Sequence, residues 1–483
     1  MMLILRPYQQ QLVDDTRQAL KQFSSVLMQA PTGAGKTAIT VYMMGRAAEM
    51  NKRAMFLVHQ NELLFQTSKA LWKQKLQHGV IASGKAKSKM LAQVASVQTL
   101  VRRLDQYQEP DLIIIDECHR SQSVTYQKII DAYPNALVIG LTATPERTDK
   151  KGLGDTYQTM VCGPTIPQLI SAGYLSDYEI LAPPCVASLS GVKTRMGDYD
   201  KKELEATMDK PTITGDAVAT YKKHAAGKRC VVMCVSIKHA QHVTENYSAA
   251  GVKAEMIEGS MTTAQRESVL NRFRSGETLI ICNVQLLIEG VDIPSIEVVQ
   301  WLRPTQSLII WMQGNGRGLR PFEGKEKLLI MDHVGNWKKH GLPDDVREWS
   351  LEGDKKGKRK KKDEDPELHI QQCKACYHVF RAGVDTCPSC GKPVERKTAA
   401  AIQVIEGELE RVNIENERKR QKQSQGMARS IEDLVRVGVE RGLNRPAQWS
   451  AITYAGRQKR KPRPDEFEAA RRALRAIKEG RLL

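Results

Sequence analysis

The chain has 483 residues, enough for two large domains and some smaller pieces. It carries 73 Lys and Arg against 55 Asp and Glu, and the resulting formal charge of +18 favours a polyanionic partner without demonstrating one. No apolar run is long enough to cross a membrane, and Arg6 and Pro7 interrupt the N-terminus too early for a secretory signal, so we expect a cytoplasmic protein with no membrane partner.

The first informative element is a glycine loop at residues 30–37, Ala-Pro-Thr-Gly-Ala-Gly-Lys-Thr. A short apolar run precedes it and helix-forming residues follow, so the loop stands at a helix N-terminus that would face an anion. Its glycines let backbone N–H groups point at phosphates, Lys36 adds charge at the β- and γ-phosphates, and Thr37 offers a hydroxyl to Mg²⁺. The predicted nucleotide-binding residues here are Pro31, Thr32, Gly33, Ala34, Gly35, Lys36 and Thr37.

Two acidic residues follow the apolar run at 112–115, which is typical of a buried parallel strand. Carboxylates at the C-terminal end of such a strand lie in the crevice where open α/β sheets bind ligands. We predict that Asp116 holds Mg²⁺, directly or through water, and that Glu117 orients and deprotonates an attacking water. Adjacent acids in this position are rarely structural, because they cost desolvation without helping the core.

Apolar, strand-like runs alternate with helical stretches along most of the chain. Residues 1–165 contain one such set, with a run at 54–58, and residues 166–350 contain a second, with a run at 328–331. This alternation is typical of parallel sheets covered by helices on both faces. We therefore predict an α/β protein with two tandem parallel-sheet domains over these two ranges.

The rest of the chain is basic and divides into three segments. Residues 351–368 form a charged linker, residues 369–395 carry paired cysteines, and residues 396–483 are basic and helix-prone. The linker and the tail, where Trp449 and Tyr454 lie among basic residues, both fit a contact with nucleic-acid phosphates. A plain solvated linker and a small helical domain with a solvated basic face are the alternatives.

Two CxxC pairs, Cys373 with Cys376 and Cys387 with Cys390, stand ten residues apart. Each CxxC turn places two sulfurs on one side, and four thiolates close a tetrahedral Zn²⁺ site with no open position, so we expect a structural zinc. An iron–sulfur cluster uses a similar ligand set and is the alternative. The aromatic and basic residues nearby fit a contact with DNA or a partner, and they equally fit a small ribbon's own core.

Further motifs fall in the order found in superfamily-two helicases of the DExH/DECH-box type, and this resemblance covers about residues 1–345. It implies two RecA-like domains, followed here by a zinc ribbon and a basic, mostly helical tail. It also implies ATP as the nucleotide. Residues 6–10 resemble the adenine-reading motif, in which the Gln9 amide can pair with the adenine edge and Arg6 can stack on the ring.

Three motifs resemble those that touch a nucleic-acid strand. Residues 58–63 with Gln66, and residues 96–100 with Thr99, resemble two first-domain motifs whose polar groups position phosphates without reading sequence. In the second domain, Asn283 belongs to a motif that by resemblance contacts both strand and nucleotide. Gln66, Thr99 and Asn283 are therefore the predicted nucleic-acid residues.

A further motif would link the nucleotide to movement. Residues 141–145, Leu-Thr-Ala-Thr-Pro, resemble the motif that couples hydrolysis to domain motion, and its threonines can connect Asp116 and His119 to the strand face. The form of this pentamer is more typical of DNA-directed members. Asp292 belongs to the same second-domain motif as Asn283 and by resemblance would lie near the ribose, although a turn acid before Pro294 is its plain alternative.

Residues 313–320, Gln-Gly-Asn-Gly-Arg-Gly-Leu-Arg, match the arginine-finger motif. Arg317 and Arg320 at i and i+3 lie on one side of a helix, and their planar guanidinium groups suit a pentavalent phosphate. By resemblance, these arginines and Gln313 act from the second domain, while Lys36 and Glu117 act from the first. Hydrolysis would then require the cleft between the domains to close.

The Asp-Glu-Cys-His box at residues 116–119, the pentamer at residues 141–145 and the finger motif resemble those of the bacterial and phage RadD-like branch of these helicases. That branch shares a zinc ribbon after the two motor domains. The resemblance implies an ATP-dependent helicase or translocase acting on DNA, single-stranded or branched, in repair, recombination or phage replication. An RNA helicase is one alternative, and a strand-annealing or binding module that uses ATP as a switch is another. Intact Glu117, Arg317 and Arg320 favour turnover over a switch, and the sequence identifies no protein partner.

Overall fold

The computed structural model describes residues 3–146, 152–182, 194–195, 198–208, 211–284, 293, 295–352, 370–394, 428, 430–440, 445–458 and 462–478. The chain forms two compact units, Met1–Arg396 and Lys397–Leu483. The described residues of the first unit form two parallel-sheet lobes and a cysteine-rich hairpin, and those of the second form three helices. No helix among the described residues is both long and apolar enough to span a membrane.

The first lobe is built on a fully parallel sheet. Its strands are β1 (Ser25–Gln29), β2 (Ala54–Val58), β3 (His78–Ile81), β4 (Ala92–Ser96), β5 (Leu112–Ile115), β6 (Leu137–Thr142) and β7 (Thr159–Cys162). Its helices are α1 (Pro7–Ala19), α2 (Lys36–Glu49), α3 (Asn61–Lys73), α4 (Val97–Leu100) and α5 (Val124–Ala132). The strand order is β3-β4-β2-β5-β6-β1-β7. Because apolar clusters cover both faces, central strands such as β1 and β2 are buried along their whole length.

The second lobe repeats this plan. Its strands are β8 (Asp177–Leu181), β9 (Thr194–Arg195), β10 (Asp198–Tyr199), β11 (Cys230–Met233), β12 (Ala254–Ile257), β13 (Ile280–Asn283), β14 (Val298–Trp301) and β15 (Lys327–Asp332). Its helices are α6 (Ile166–Ser171), α7 (Lys201–Met208), α8 (Pro211–His224), α9 (Ile237–Ala249), α10 (Thr263–Ser275), α11 (Leu308–Gly318) and α12 (Asn336–His340). Six strands pair in parallel in the order β12-β13-β11-β14-β15-β8, and β9 and β10 form a separate hairpin. The predicted α/β class with two tandem RecA-like sheets is confirmed.

The cysteine-rich segment is joined to the second lobe through its backbone. Its strands β16 (Ile370–Gln372) and β17 (His378–Arg381) form an antiparallel hairpin, and β17 pairs antiparallel with β8. The Arg381 guanidinium also forms ion pairs with Asp344 at 2.9 Å and Asp345 at 2.8 Å. This hairpin, called the ribbon below, therefore extends the edge of the second sheet. Most of the predicted charged linker, residues 353–368, lies outside the described residues.

The second unit is a small helical bundle. It contains α13 (Ile431–Glu440), α14 (Pro446–Arg457) and α15 (Pro464–Lys478), packed around an apolar cluster that includes Val435, Ala451 and Ala470. Trp449 and Tyr454 are partly buried against a second cluster in the same bundle. These two aromatic residues, considered above as a possible nucleic-acid surface, contribute to the core of this unit.

Candidate functional site

The phosphate loop connects β1 to α2 at the C-terminal edge of the first sheet. Gly33 and Gly35 have φ values of 90° and 80°, which lie in the left-handed region that favours glycine. The loop therefore curls as predicted, and α2 begins at Lys36. The Lys36 ammonium donates to the carbonyl oxygen of Ala30 at 3.1 Å, so it lies folded back over the loop.

The two acids follow β5, the next strand but one from β1 in the sheet. The backbone N–H of Asp116 donates to Leu57 O at 3.1 Å, which fixes the end of the strand. Glu117 has a φ of 45°, an uncommon left-handed conformation for a residue with a side chain. Such conformations persist where the surroundings over-determine them, and they cluster at functional sites.

Five charged groups from the two lobes influence one another at this edge. Burial lowers the pKa of the Lys36 ammonium, and the carboxylates of Glu117 and Asp116 oppose that shift. Arg320 and Arg317 lower the same pKa because like charges repel. Burial and the Glu117 carboxylate together raise the pKa of Asp116 to about 7, against the effect of Lys36. Three cationic side chains facing two carboxylates form a site suited to a polyanion accompanied by a metal cation.

The arginine-finger residues come from the second lobe and reach the loop of the first. Gln313 and Arg317 are buried on α11, and Arg320 follows the end of that helix. A Cβ built on Gly33 would lie 3.6 Å from Arg320 Cγ, which shows how closely the finger approaches the phosphate loop. Arg317 lies on α11, which ends at Gly318. Arg320 lies just beyond the cap residue Leu319, so the two arginines do not both lie on the helix as predicted.

Buried polar atoms without partners provide a test of whether a nucleotide fits here. Both the Nε2 and Oε1 atoms of Gln313 are buried with no hydrogen-bond partner in the described part of the chain, and Glu117 Oε2 likewise lacks a hydrogen bond there, with His119 Nδ1 3.5 Å away. Buried polar groups in proteins are normally satisfied, so such atoms are expected where a ligand or its water completes the bonding. The donor set and its unmet hydrogen bonds are therefore compatible with a bound nucleoside triphosphate and Mg²⁺.

His119 lies between the acids and the strand β6. Its Nδ1 atom is 3.5 Å from Glu117 Oε2 and 3.5 Å from Thr142 Oγ1. Thr142 in turn accepts a hydrogen bond at 3.2 Å from the backbone N–H of Thr144. His119 and Thr142 are thus neighbours, and the predicted connection of Asp116 through the threonines to the nucleic-acid face stays a prediction.

The predicted adenine-reading residues brace the phosphate loop. The Gln9 amide donates to Ala34 O at 2.9 Å and accepts from the backbone N–H of Arg6 at 3.0 Å. The Arg6 guanidinium lies 4.7 Å from the centre of the Tyr174 ring, and the Tyr8 and Tyr174 rings are 5.0 Å apart. In this arrangement the Gln9 amide is occupied by protein, so pairing with adenine would require it to turn. Asp292, predicted near the ribose, lies outside the described residues.

A polar groove of about 380 Å³ opens at the C-terminal ends of β2 and β4. Its lining comprises His59, Asn61, Ser83, Ser96, Gln98, Thr99, Arg102 and Arg103. The Gln98 amide donates to His59 O at 3.0 Å, and the Ser96 hydroxyl donates to Gln98 Oε1 at 2.8 Å. The groove therefore brings together both first-domain motifs that were predicted to touch a strand. Sequence reasoning missed Arg102 and Arg103, although a basic pair directly after the second motif was a usable signal.

Two of the predicted nucleic-acid residues lie elsewhere. Gln66 is half-buried on α3 and does not line the groove. Asn283 is fully buried at the end of β13, where its amide donates to Val232 O at 3.1 Å. This side chain ties β13 to β11, because a buried amide must find its partners within the protein. Of the three residues predicted to contact nucleic acid, Thr99 is the one that lines the groove.

The four ribbon cysteines form a compact cluster. The sulfur atoms of Cys373 and Cys390 are 3.7 Å apart, those of Cys376 and Cys387 are 3.6 Å apart, and all four lie within 4.8 Å of one another. Four thiolates at about 2.3 Å from one tetrahedral ion would stand about 3.8 Å apart. The cluster therefore has the dimensions expected around a single metal ion.

Comparison with family models matches both lobes. The model described as type III restriction enzyme, res subunit, matches residues 2–147, and the helicase conserved C-terminal domain model matches residues 210–321. These ranges contain the phosphate loop, the acidic pair Asp116 and Glu117, and the arginine-finger motif.

Individual relatives extend this similarity. A 51.5 kDa protein of a Lactococcus phage is 31% identical over 400 residues, covering 81% of this chain and 85% of that protein. The putative ATP-dependent helicase IRC3 of Saccharomyces cerevisiae is 29% identical over 357 residues, covering 69% of this chain and 52% of its own length. The solved structure of the ATP-dependent type ISP restriction-modification enzyme LlaBIII bound to DNA has a TM-score of 0.53 at 18% identity, covering 69% of this chain and 28% of that one. This chain thus spans about half or less of the latter two proteins.

Proposed function

The chain belongs to the superfamily-two helicases, and from that premise we propose how its two lobes use ATP to act on a DNA strand. It is an ATP hydrolase of the helicase and translocase class. We propose that turnover occurs when a strand in the groove of the first lobe favours the closed arrangement. The observation that carries this proposal is the close approach of the finger segment to the phosphate loop, where a Cβ built on Gly33 would lie 3.6 Å from Arg320 Cγ, together with the influence of Arg317 and Arg320 on Lys36.

The site residues have distinct proposed roles. The loop amides and Lys36 hold the phosphates, while Thr37 and Asp116 would hold Mg²⁺, which would supply positive charge at the phosphates. Glu117 takes a proton from the attacking water. Arg317 and Arg320 neutralise the charge that develops on the transferred phosphoryl group. The partnerless Gln313 amide supports a role for this residue in orienting water or a phosphate oxygen.

The requirement for both lobes links chemistry to motion. If the arginines leave the phosphate loop when the cleft opens, hydrolysis slows. If a bound strand spans the lobes, its binding and ATP binding favour the same closed state. The Glu62 carboxylate on α3 and the Arg266 guanidinium on α10 already form an ion pair across the cleft. This contact supports a closed state in which the strand-facing sides of the two lobes adjoin.

We propose that the groove at the ends of β2 and β4 holds the strand through its phosphates. Arg102 and Arg103 supply charge, and Thr99 and Gln98 supply hydrogen bonds, in a way that does not depend on base sequence. Roles for Gln66, Asn283 and Asp292 remain predictions from motif resemblance. We favour DNA as the strand, because LlaBIII is described as bound to DNA and because the threonine motif has the DNA-directed form.

The ribbon is proposed to be a structural zinc site. The sulfur spacing supports one ion, since a cluster in which each thiolate binds a different iron would spread the sulfurs further. Membership of the RadD-like branch is proposed on the same ribbon together with the acidic box and finger motifs.

A strand-displacement assay tests the choice of DNA. Forked DNA, blunt duplex DNA and the matching RNA fork, each with one labelled strand, are mixed with the full chain with and without ATP. We expect ATP-dependent displacement from the DNA fork and little from the RNA fork. Equal or faster displacement from RNA would favour the RNA-helicase alternative, and ATP-independent joining of complementary strands would favour an annealing module.

A further inference from the structure

A lysine outside all the motifs described above holds the end of the arginine-finger helix. Lys325 lies in the turn between α11 and β15, where its backbone N–H donates to Phe322 O at 3.2 Å. Its ammonium donates to the carbonyl oxygen of Arg320 at 3.0 Å and to that of Gly318. One side chain therefore connects the last residue of α11 to the finger residue that follows it.

This contact is favourable for two physical reasons. The last carbonyls of a helix have no partner within the helix, and a cation at that end also interacts well with the helix dipole. The backbone at this point leaves the helix, since Leu319 is its cap and Arg320 lies beyond it. The carbonyl oxygen of Leu319 accepts from the backbone N–H of Ser176 at 2.8 Å, and Lys325 supplies a side-chain donor for the carbonyls of Gly318 and Arg320 on either side of it.

The surroundings of Lys325 make the contact specific. The ammonium is partly buried, lies 5.9 Å from the centre of the Phe322 ring, and is influenced by Glu297. Arg229 covers the same ring at 4.8 Å and pairs with Glu297 at 3.2 Å. Because the Glu297 carboxylate already pairs with Arg229, the Lys325 ammonium binds the backbone carbonyls instead.

We propose that Lys325 is a positioning residue for ATP hydrolysis, which holds Arg320 beside the phosphate loop by binding the carbonyl oxygens of Gly318 and Arg320. The inference rests on the proposed finger role of Arg320. The Lys325 ammonium binds backbone carbonyls and is not among the groups proposed to bind nucleotide or Mg²⁺. Its loss should therefore lower turnover and leave ATP affinity nearly unchanged, because the groups that bind the phosphates belong to the first lobe.

The test is a double-mutant cycle on steady-state ATP turnover with saturating single-stranded DNA. Lys325→Met should lower kcat by about tenfold or more, with KM for ATP within about threefold of wild type. In the Arg320→Ala background the same change should cost less than about threefold, since residues that act as a unit are not additive. Lys327→Met is the matched control, because Lys327 lies two residues away and forms an exposed ion pair with Glu179 at 2.9 Å; its kcat should stay within about twofold of wild type.

A second variant keeps the proposal testable if Lys325→Met does not fold. Burial lowers the pKa of Lys325 to about 7, so its charge is present below that pH and lost above it, with Glu297, Arg229 and the Arg320 backbone as the facing groups. Lys325→Arg keeps a charge throughout. The ratio of wild-type to Lys325→Arg turnover should therefore fall between about pH 6 and pH 8.

Three results would overturn the proposal. They are an unchanged kcat in Lys325→Met, an equal loss in the wild-type and Arg320→Ala backgrounds, and parallel pH profiles for wild type and Lys325→Arg. Failure of the proposed function is distinguishable from these outcomes. In that case the wild-type chain itself would show no turnover of ATP with any nucleic acid, and the inference would fall with it.

Discussion

Gly316 on α11 packs directly against Thr32 in the phosphate loop: a Cβ built on Gly316 would lie 2.5 Å from Thr32 Cβ. Cβ atoms in real proteins do not approach other atoms this closely, and Thr32 Cβ cannot move without its backbone. Only glycine therefore fits at position 316 while the two lobes are in contact. The finger helix of one lobe and the phosphate loop of the other thus meet at the point where the phosphates would bind. This contact supports the proposal that a helix in the second lobe acts on a nucleotide held by the first.

Glu117→Gln should abolish ATP turnover while ATP and DNA binding stay largely intact. The amide keeps the size of the side chain but cannot accept the proton of water. Turnover by phosphate release and binding of a fluorescent ATP analogue are the two measurements. Glu49→Gln, a surface change that breaks only the exposed pair with Arg46 at 2.8 Å, is the control. Near-normal hydrolysis by Glu117→Gln would rule out Glu117 as the base.

Arg317→Ala and Arg320→Ala should each lower turnover by orders of magnitude, since arginine fingers are worth about 10³–10⁵ in rate. Nucleotide affinity should change little, because the interaction forms mainly in the transition state. Arg274→Ala, which removes an exposed arginine paired with Glu267 at 2.9 Å, is the matched control. A loss of affinity with unchanged maximal turnover would show that these arginines only bind.

Cys373→Ser or Cys387→Ser should release the metal and unfold the ribbon, because much of the folding free energy of such a site comes from the ion. Metal analysis of the wild type should give about one zinc per chain, by the four-thiolate count. Cys162→Ser, at an exposed position away from the cluster, should keep its metal. ATP turnover without DNA should survive in the ribbon variants, because the site residues lie on other strands. Iron with visible absorbance would contradict the zinc assignment.

The structure determines where the chain can be cut to test the basic regions. Cutting after Pro343 would remove the cysteine-rich hairpin that pairs with β8, and also Leu351, whose carbonyl accepts from the backbone N–H groups of Leu153 and Gly154 in the first lobe at 2.9 and 3.0 Å. Removing residues 397–483 takes away one compact unit instead.

If the tail contacts phosphates, the 1–396 chain should bind DNA more weakly and with a shallower salt dependence, by roughly one counterion per lost contact. DNA-stimulated turnover should persist, because the groove remains. Binding is measured by fluorescence anisotropy at several salt concentrations, with an Arg471→Gln, Arg472→Gln, Arg475→Gln full-length variant as the companion, since these arginines are exposed on α15. An unchanged slope in both would mean that the tail is a solvated surface.

Much of the candidate site could be predicted from short contiguous motifs in the sequence. The glycine loop and the acid pair are contiguous, and their chemistry follows from the residue types and from the apolar strand before each one. The left-handed conformations of Gly33 and Gly35 and the parallel sheet around them follow from the same local pattern.

Long-range partners could not be read in the same way. The pairing of β17 with β8 joins residues about two hundred positions apart, and no periodicity marks it. The motifs predict ligand contacts for the amides of Gln9 and Asn283, and in the fold each amide donates to a backbone carbonyl, at Ala34 and Val232 respectively. Which partner an amide takes depends on tertiary packing, which a motif does not specify.

The most direct test of the central claim, that both lobes form one ATP site controlled by a strand, is ATP turnover by the full chain titrated with single-stranded DNA. We predict a saturable rise of about tenfold or more, abolished by Glu117→Gln and by Arg320→Ala alike, because either lobe alone leaves the site incomplete. A rate that is the same with and without any nucleic acid, or one that survives loss of Arg320, would contradict the account.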